Sequence, residues 1–251
     1  MTTQFIKLCY RNILETSTVT AAENVLFPKY RLYNRDIGKL FKGDAFASPF
    51  PILVNQTPVI YEVDRLIIPA SHNLNGLACS LRYSTDNFGS DDHEAIGWTQ
   101  GNALIIDKEF TAPAAATQYW KLNITAPATI VEMPEMFLTK SYTFQTNPNY
   151  GLGEGDDKNV EDVDSQSGRW RGVKWGEYKR YRRYELTKIQ SAQKTDFQTW
   201  DRHCEGIKAL YLEDHEGVLY FARLLNKRLL FAMTNEGRWA TDGALEFLEV
   251  L

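Results

Sequence analysis

Apolar and polar positions along this chain alternate mostly in short runs with a period of two, and long stretches of helical period are nearly absent. "LACSLRYSTDN" places Leu77, Cys79, Leu81 and Tyr83 on one side and Ala78, Ser80, Arg82 and Ser84 on the other. "QYWKLNI" repeats the pattern, with Trp120, Leu122 and Ile124 opposite Tyr119, Lys121 and Asn123. A period of two with one polar face predicts strands that lay one side on a core. "DRLIIP" is a short apolar run, which predicts a central strand covered on both faces. Pro69 lacks an N–H and ends the ladder there, and Asn73, Asn75 and Gly76 tolerate the positive φ of a tight reversal.

The same criteria predict strands over residues 4–10, 58–62, 65–70, 77–84, 103–110, 117–125, 129–138, 169–175, 178–189, 207–213, 217–225, 228–234 and 244–250. One helix is expected over 191–206, with Ser191 as N-cap, Phe197, Trp200 and Cys204 along its apolar side and Gly206 closing it. Residues 145–168, rich in Asn, Gly, Asp and Ser, are too long for an ordinary hairpin connection and read as a long loop. The fold class is therefore mainly β, in two domains over 1–140 and 141–251.

Composition narrows the function classes. The 251 residues carry a net charge of −4, 43% hydrophobic and 13% aromatic residues, an ordinary globular balance tilted toward β structure or contact surfaces. No apolar run approaches the roughly 20 residues of a membrane span, so no membrane insertion is expected. "MTTQFIKLCYRN" has no basic segment followed by an apolar one, which points to cytoplasmic synthesis and makes the sequons at Asn55 and Asn123 incidental. Cys9, Cys79 and Cys204 form no C-x-x-C pair, so neither a disulfide scaffold nor a zinc site is implied. The chain contains no G-x-S-x-G, no phosphate-binding loop, no H-E-x-x-H and no dinucleotide fingerprint. His72, His93, His203 and His215 have no partners at ligand spacing. No enzyme, cofactor or metal is expected.

Two segments carry concentrated charge. Residues 169–183 hold Arg169, Arg171, Lys174, Lys179, Arg180, Arg182 and Arg183, interleaved with aromatic residues in the manner of single-stranded nucleic-acid binders. Immediately upstream, Glu154, Asp156, Asp157, Glu161, Asp162 and Asp164 supply the opposite sign, without the spacing of an EF-hand loop. Segments of opposite sign so close together can pair within one chain or between copies, which nearly cancels their field at a distance. The expectation is no nucleic acid, and oligomer contacts through Asp156, Asp157, Glu161, Asp162, Arg169, Arg171, Lys179, Arg180, Arg182 and Arg183.

The order of an apolar strand running to "HNL", a strand ending in "YSTDN", an acidic loop reaching Trp98 and the "YWKLNI" strand, after an upstream "AENVLFPKYRLYNRD", resembles galactose-binding-like (discoidin-type) jelly rolls. The versions in tailed-bacteriophage tail proteins are the most similar, over roughly residues 20–138. That resemblance implies an N-terminal jelly-roll β-sandwich with a glycan rim of His72, Asn73, Asp86, Asn87 and Trp98. "SGRWRGVKWGEYKRYRRYELTKIQSAQKTDFQTW" and the closing "LEFLEVL" resemble the tail-tube-type β-sandwich with one flanking helix found in phage tail tubes and distal tail proteins. It implies a structural component of a phage tail tip or baseplate, a minor or distal tail protein that assembles as a homo-oligomeric ring in the virion. Its partners would be the tail tube, tape measure, hub and fibres, with the 145–168 loop as an arm onto a neighbour. The chain departs from distal tail proteins in placing the ring-type domain second. The alternative is a carbohydrate-binding module for a host cell-surface glycan.

Overall fold

The chain folds as two compact units, one of residues Arg11–Ser141 and one of Met1–Tyr10 with Tyr142–Leu251. The computed structural model describes residues 5–44, 48–115, 117–127, 129–144, 153–157, 160–164, 170–174, 179–186, 188–205, 207–226, 229–234, 238–241 and 243–250.

In the unit of 11–141 the alternating runs become two antiparallel sheets. The larger has the order β2 (Thr18–Thr20), β4 (Phe50–Asn55), β9 (Tyr119–Thr125), β6 (Ala78–Ser84) and β7 (His93–Thr99). The smaller has the order β11 (Phe137–Thr139), β5 (Arg65–Ile68) and β8 (Ile106–Glu109), and a short ladder joins β3 (Phe41–Lys42) to β10 (Glu132–Met133). Ile52, Val54, Leu81, Leu122 and Ile124 of the larger sheet share one core with Leu66, Ile68, Ile106 and Leu138 of the smaller. The result is a jelly-roll β-sandwich. β5 is buried at all four positions, Arg65 as well as the apolar run of Leu66, Ile67 and Ile68. It ends at Ile68, directly before Pro69.

The second unit is built on one sheet in the order β12 (Tyr142–Thr143), β1 (Lys7–Cys9), β17 (Leu210–Glu213), β18 (Leu219–Leu224), β21 (Leu245–Glu249), β16 (Lys179–Tyr184) and β13 (Gly153–Asp157). Two hairpin ladders accompany it, β14 (Val160–Asp164) with β15 (Trp170–Lys174) and β19 (Phe231–Met233) with β20 (Trp239–Thr241). Helix α1 (Ser191–Cys204) sets Phe197, Trp200 and Cys204 into the core formed with Leu8, Leu212, Ala222 and Phe247. Edge-on aromatic contacts, such as Phe144 to Phe197 at 5.0 Å, fill that core.

Several expectations are corrected. Residues 58–62 form no strand, because the Gln56 side chain brackets Tyr61, accepting from its N–H at 2.8 Å and donating to its carbonyl at 3.1 Å. The strand lies just before, at Phe50–Asn55. The acidic loop before Trp98 gives way at His93 to β7, an edge strand whose partly charged sequence carries little apolar alternation. The segment read as a long loop contains β13 and β14, paired with β16 and β15. Lys7–Cys9, placed by sequence in the first domain, pairs with β12 and β17 of the second unit. Ser191 is the first helical residue, not the cap; Gln190 stands at the N-cap, and the Ser191 hydroxyl accepts the indole N–H of Trp239 at 3.3 Å.

Candidate ligand-binding site

The polar face of the five-stranded sheet follows from the same alternation that builds the core. Val19, Ile52, Val54, Trp120 and Leu122 point inward, which turns Thr18, Thr20, Leu53, Asn55, Tyr119 and Lys121 outward. Register brings them together, with Thr18 opposite Asn55, Thr20 opposite Leu53, Asn55 opposite Tyr119 and Leu53 opposite Lys121. A cavity of about 230 Å³ opens there, lined by Thr18, Thr20, Leu53, Val54, Asn55, Asn87, Phe88, Tyr119 and Trp120.

One wall of this cavity is the turn between β6 and β7. The buried Ser84 hydroxyl accepts from the N–H of Asp86 at 3.0 Å and of Phe88 at 2.8 Å. Asp86 gathers the rest of the turn, accepting from the Gly89 N–H at 3.0 Å, the Ser90 N–H at 2.7 Å and the Ser90 hydroxyl at 2.9 Å. Those Ser90 donors, with help from Ser84 and Gly89, hold the Asp86 carboxyl far below the ordinary aspartate range. Asp91 braces the turn from the other side, accepting the N–H and hydroxyl of Thr85 at 2.7 and 2.5 Å. These bonds hold Asn87 and Phe88 in the left-handed region, at φ of 60° and 62°. Such backbone costs about 1–3 kcal/mol per residue unless its surroundings enforce it.

The lining has the chemistry of a neutral, hydroxyl-rich ligand. Among the described residues, the hydroxyls of Thr18, Thr20 and Tyr119 and the Asn87 amide have no hydrogen-bond partner within the chain. Asn55 accepts from Thr57 at 2.9 Å and Gln118 at 3.0 Å, so its carbonyl oxygen is occupied and its NH₂ is not. Phe88 and Tyr119 add aromatic surface, Leu53 adds apolar surface, and the lining holds no carboxylate, imidazole, amine or guanidinium. Among the described residues no group of three or more His, Cys, Asp or Glu converges as a metal site.

Of the rim expected from sequence, only Asn87 lines the cavity, and Asp86 organises the turn that carries it. His72 is buried, with Nε2 on the Leu104 carbonyl at 2.8 Å and Nδ1 accepting the Leu74 N–H at 3.2 Å. Burial pushes its pKa down, and both ring nitrogens are committed to backbone. Asn73 donates to the Ile130 carbonyl at 2.7 Å and accepts the Glu132 N–H at 2.8 Å, stitching its corner to the 129–132 segment. Trp98, opposite Cys79, is half-buried against the core with the Lys108 ammonium 5.7 Å from its ring centroid, and it does not line the cavity. Sequence reading missed Thr18, Thr20, Leu53, Asn55, Phe88 and Tyr119. The outward positions of "TVT" and "QYWKLNI" were visible, but their meeting depends on strand register.

The charged segments of the other unit do meet, through backbone. β13 runs antiparallel to β16, with Glu154 opposite Arg182, Asp156 opposite Arg180 and Asp157 opposite Lys179. In the neighbouring hairpin Glu161 stands opposite Val173, Asp162 opposite Gly172 and Val163 opposite Arg171. Arg182 reaches the buried Asp214 at 3.4 Å, Arg183 pairs with Glu185 at 2.9 Å, and Arg180 lies 4.0 Å from Glu249. Arg169 lies outside the described residues.

No protein-family model and no curated protein matches the chain. Among solved structures it is similar to chitosan-binding module 1 from a chitosanase/glucanase of Paenibacillus sp. IK-5, at 18% identity over 52% of this chain and 99% of that one, with a TM-score of 0.45. A CBM32 module from a family 31 glycoside hydrolase of Clostridium perfringens matches at 17% identity over 52% and 99%, with a TM-score of 0.42. A GH29 fucosidase of Ruminococcus gnavus, solved in complex with fucose, matches at 10% identity over 53% of this chain and 27% of that one, with a TM-score of 0.44.

Proposed function

We propose that residues 11–141 form a carbohydrate-binding module that holds a sugar ring of a surface glycan in the cavity on the five-stranded sheet. One observation carries the reading: hydroxyl and amide groups without internal partners are set beside the rings of Phe88 and Tyr119 in one walled cavity. A pyranose presents hydroxyls at its rim and C–H groups on its faces, so it needs this mixture of adaptable donors and acceptors with flat apolar surface. The volume of about 230 Å³ suits a single ring and falls below the roughly 300–1,000 Å³ of drug-sized pockets. The hydrogen-bonded turn holds Asn87 and Phe88 in place before the ligand arrives, which reduces the ordering entropy lost on binding.

The full chain is tested by calorimetric titration with methyl glycosides of galactose, glucose and N-acetylglucosamine. At least one should bind in the micromolar to millimolar range, and Tyr119→Ala and Asn87→Ala should each weaken it by about tenfold, or 1.4 kcal/mol. A chain that binds none of the three is not a module of this kind.

A second reading is assembly of copies into a ring at a phage tail tip. It is supported by the outer edge of β13, where the seven-stranded sheet ends among the described residues. Light scattering of the full chain across a concentration series decides it: a closed oligomer supports the reading, and a monomer at the highest concentration removes it.

A further inference from the structure

Lys121 sits at the border of the cavity and takes no part in its lining. It is the register partner of Leu53 and lies two residues from Tyr119 on the same sheet face, and both of those neighbours line the cavity. What stands beside it is Phe88, whose ring centroid lies 3.9 Å from the Lys121 ammonium and which itself lines the cavity. The same ammonium is tied to Asp92 at 3.3 Å, and Asp92 also holds Arg82 at 2.7 Å. Arg82 reaches Glu94 at 3.4 Å, so a charged network runs along the sheet face next to a cavity without a charged lining residue.

We propose that the Phe88 ring is a partition that withholds Lys121 from the cavity and so selects uncharged sugars over acidic ones. This rests on the carbohydrate reading above and names the class of sugar that the same site accepts. Through the ring, Lys121 meets a ligand only as an apolar surface, and its ammonium is occupied by the ring face and by Asp92. A carboxylate entering the cavity loses hydration and gains no cation, which is unfavourable unless an ion pair replaces the water. Removing the ring places the ammonium at the cavity wall, where it can supply that pair.

The experiment titrates the full chain with methyl β-D-glucoside, methyl β-D-galactoside and methyl N-acetyl-β-D-glucosaminide, and with glucuronic acid and N-acetylneuraminic acid as acidic probes. The wild type should bind its best uncharged sugar at least about tenfold more tightly than either acid. Phe88→Ala should weaken the uncharged sugar and erase or invert that preference, through an acid affinity that falls as salt is raised. The double variant Phe88→Ala/Lys121→Met should lose the gained acid binding. Phe88→Leu, which keeps an apolar side chain in the turn, should shift the preference less than Phe88→Ala. A wild type that takes acids as tightly as uncharged sugars overturns the partition and leaves the carbohydrate reading standing. A folded Phe88→Ala with unaltered preference also overturns it, and a wild type that binds no sugar at all overturns both.

Discussion

Arg65 grips Asp107 through two parallel hydrogen bonds, Nε to Oδ1 at 2.7 Å and Nη2 to Oδ2 at 2.6 Å. Its remaining arm reaches Glu109 at 3.1 Å, and the arginine side chain is 1% exposed. The fork joins β5 to β8, and it pairs a buried guanidinium with carboxylates that still reach solvent, 30% exposed at Asp107 and 49% at Glu109.

Lysine cannot reproduce that planar fork, so Arg65→Lys should destabilise the 11–141 unit by about 1–3 kcal/mol despite keeping the charge. Asp107→Asn should cost about as much, because it leaves the buried guanidinium short of a carboxylate. Hydrogen exchange of backbone amides in 65–68 and 106–109 reads the loss, and protection equal to wild type in both variants would show that the pair contributes little.

Glu135 gives the same unit a pH dependence. The residue is fully buried, and desolvation, opposed by Arg35 and assisted by Glu15, raises its pKa from 4.5 to about 8. A raised folded value means that the proton favours the native state. This contribution is complete below pH 4.5 and is lost as pH rises through about 8. Thermal unfolding should therefore occur at lower temperature as pH is raised across that window. Glu135→Gln should flatten the profile, with a gain on the order of a few kcal/mol at its alkaline end. An unchanged slope in the variant would exclude Glu135 as its source.

Asp86 acts with the opposite sign. Its folded pKa lies below the ordinary 3.8, so the order it gives the turn is present above 3.8 and is lost only as pH falls through the depressed value. Sugar binding should therefore survive mild acid as far as this group is concerned. Asp86→Ala should release the Gly89 and Ser90 N–H groups and weaken binding by about tenfold, read by titration, with native circular dichroism retained. Full affinity in that variant would mean that the turn needs no such anchor.

His72→Ala and Asn73→Ala separate a structural corner from a binding rim. Both side chains are committed to backbone, so each change should cost about 1–3 kcal/mol of stability and leave sugar affinity within about twofold. A tenfold loss of affinity with unchanged stability would move the site to that corner.

In the second unit Trp200 is fully buried between Phe197 and Phe247, at centroid distances of 6.0 and 6.4 Å. Trp200→Ala should cost about 3–5 kcal/mol, read as lost helix protection over 191–204. Near-wild-type protection there would mean that the helix does not depend on its aromatic face.

Much of the architecture was legible wherever neighbouring residues decide it. The alternation of 77–84 and 117–125 set strand, face and core, and the apolar run before Pro69 set a buried strand with a sharp end. The apolar face of Phe197, Trp200 and Cys204 marked the helix. The cavity was not legible, because Thr18, Asn55 and Tyr119 become neighbours only through the registers of three strands far apart in sequence. Phe88 escaped notice because its position depends on hydrogen bonds to Ser84 and on φ values unusual for an aromatic residue. His93–Thr99 was obscured by being an edge, where charged side chains are tolerated and the apolar signal fades.

The placement of β1 makes the 11–141 unit an insertion. Leu8 faces Tyr142 on one side and Leu212 on the other, so the segment that begins the seven-stranded sheet and the segment that resumes it are direct partners in space. A nascent chain must hold β1 while the sandwich of 11–141 is made, then close the ladder around it from sequence emerging afterwards. A splice that discards 11–141 and joins Tyr10 to Tyr142 by a tight turn keeps every strand of that ladder. A cut at residue 141 strands Leu8 and Cys9 on the wrong fragment, which leaves β17 without one of its two neighbours and the border strand β12 without its ladder partner.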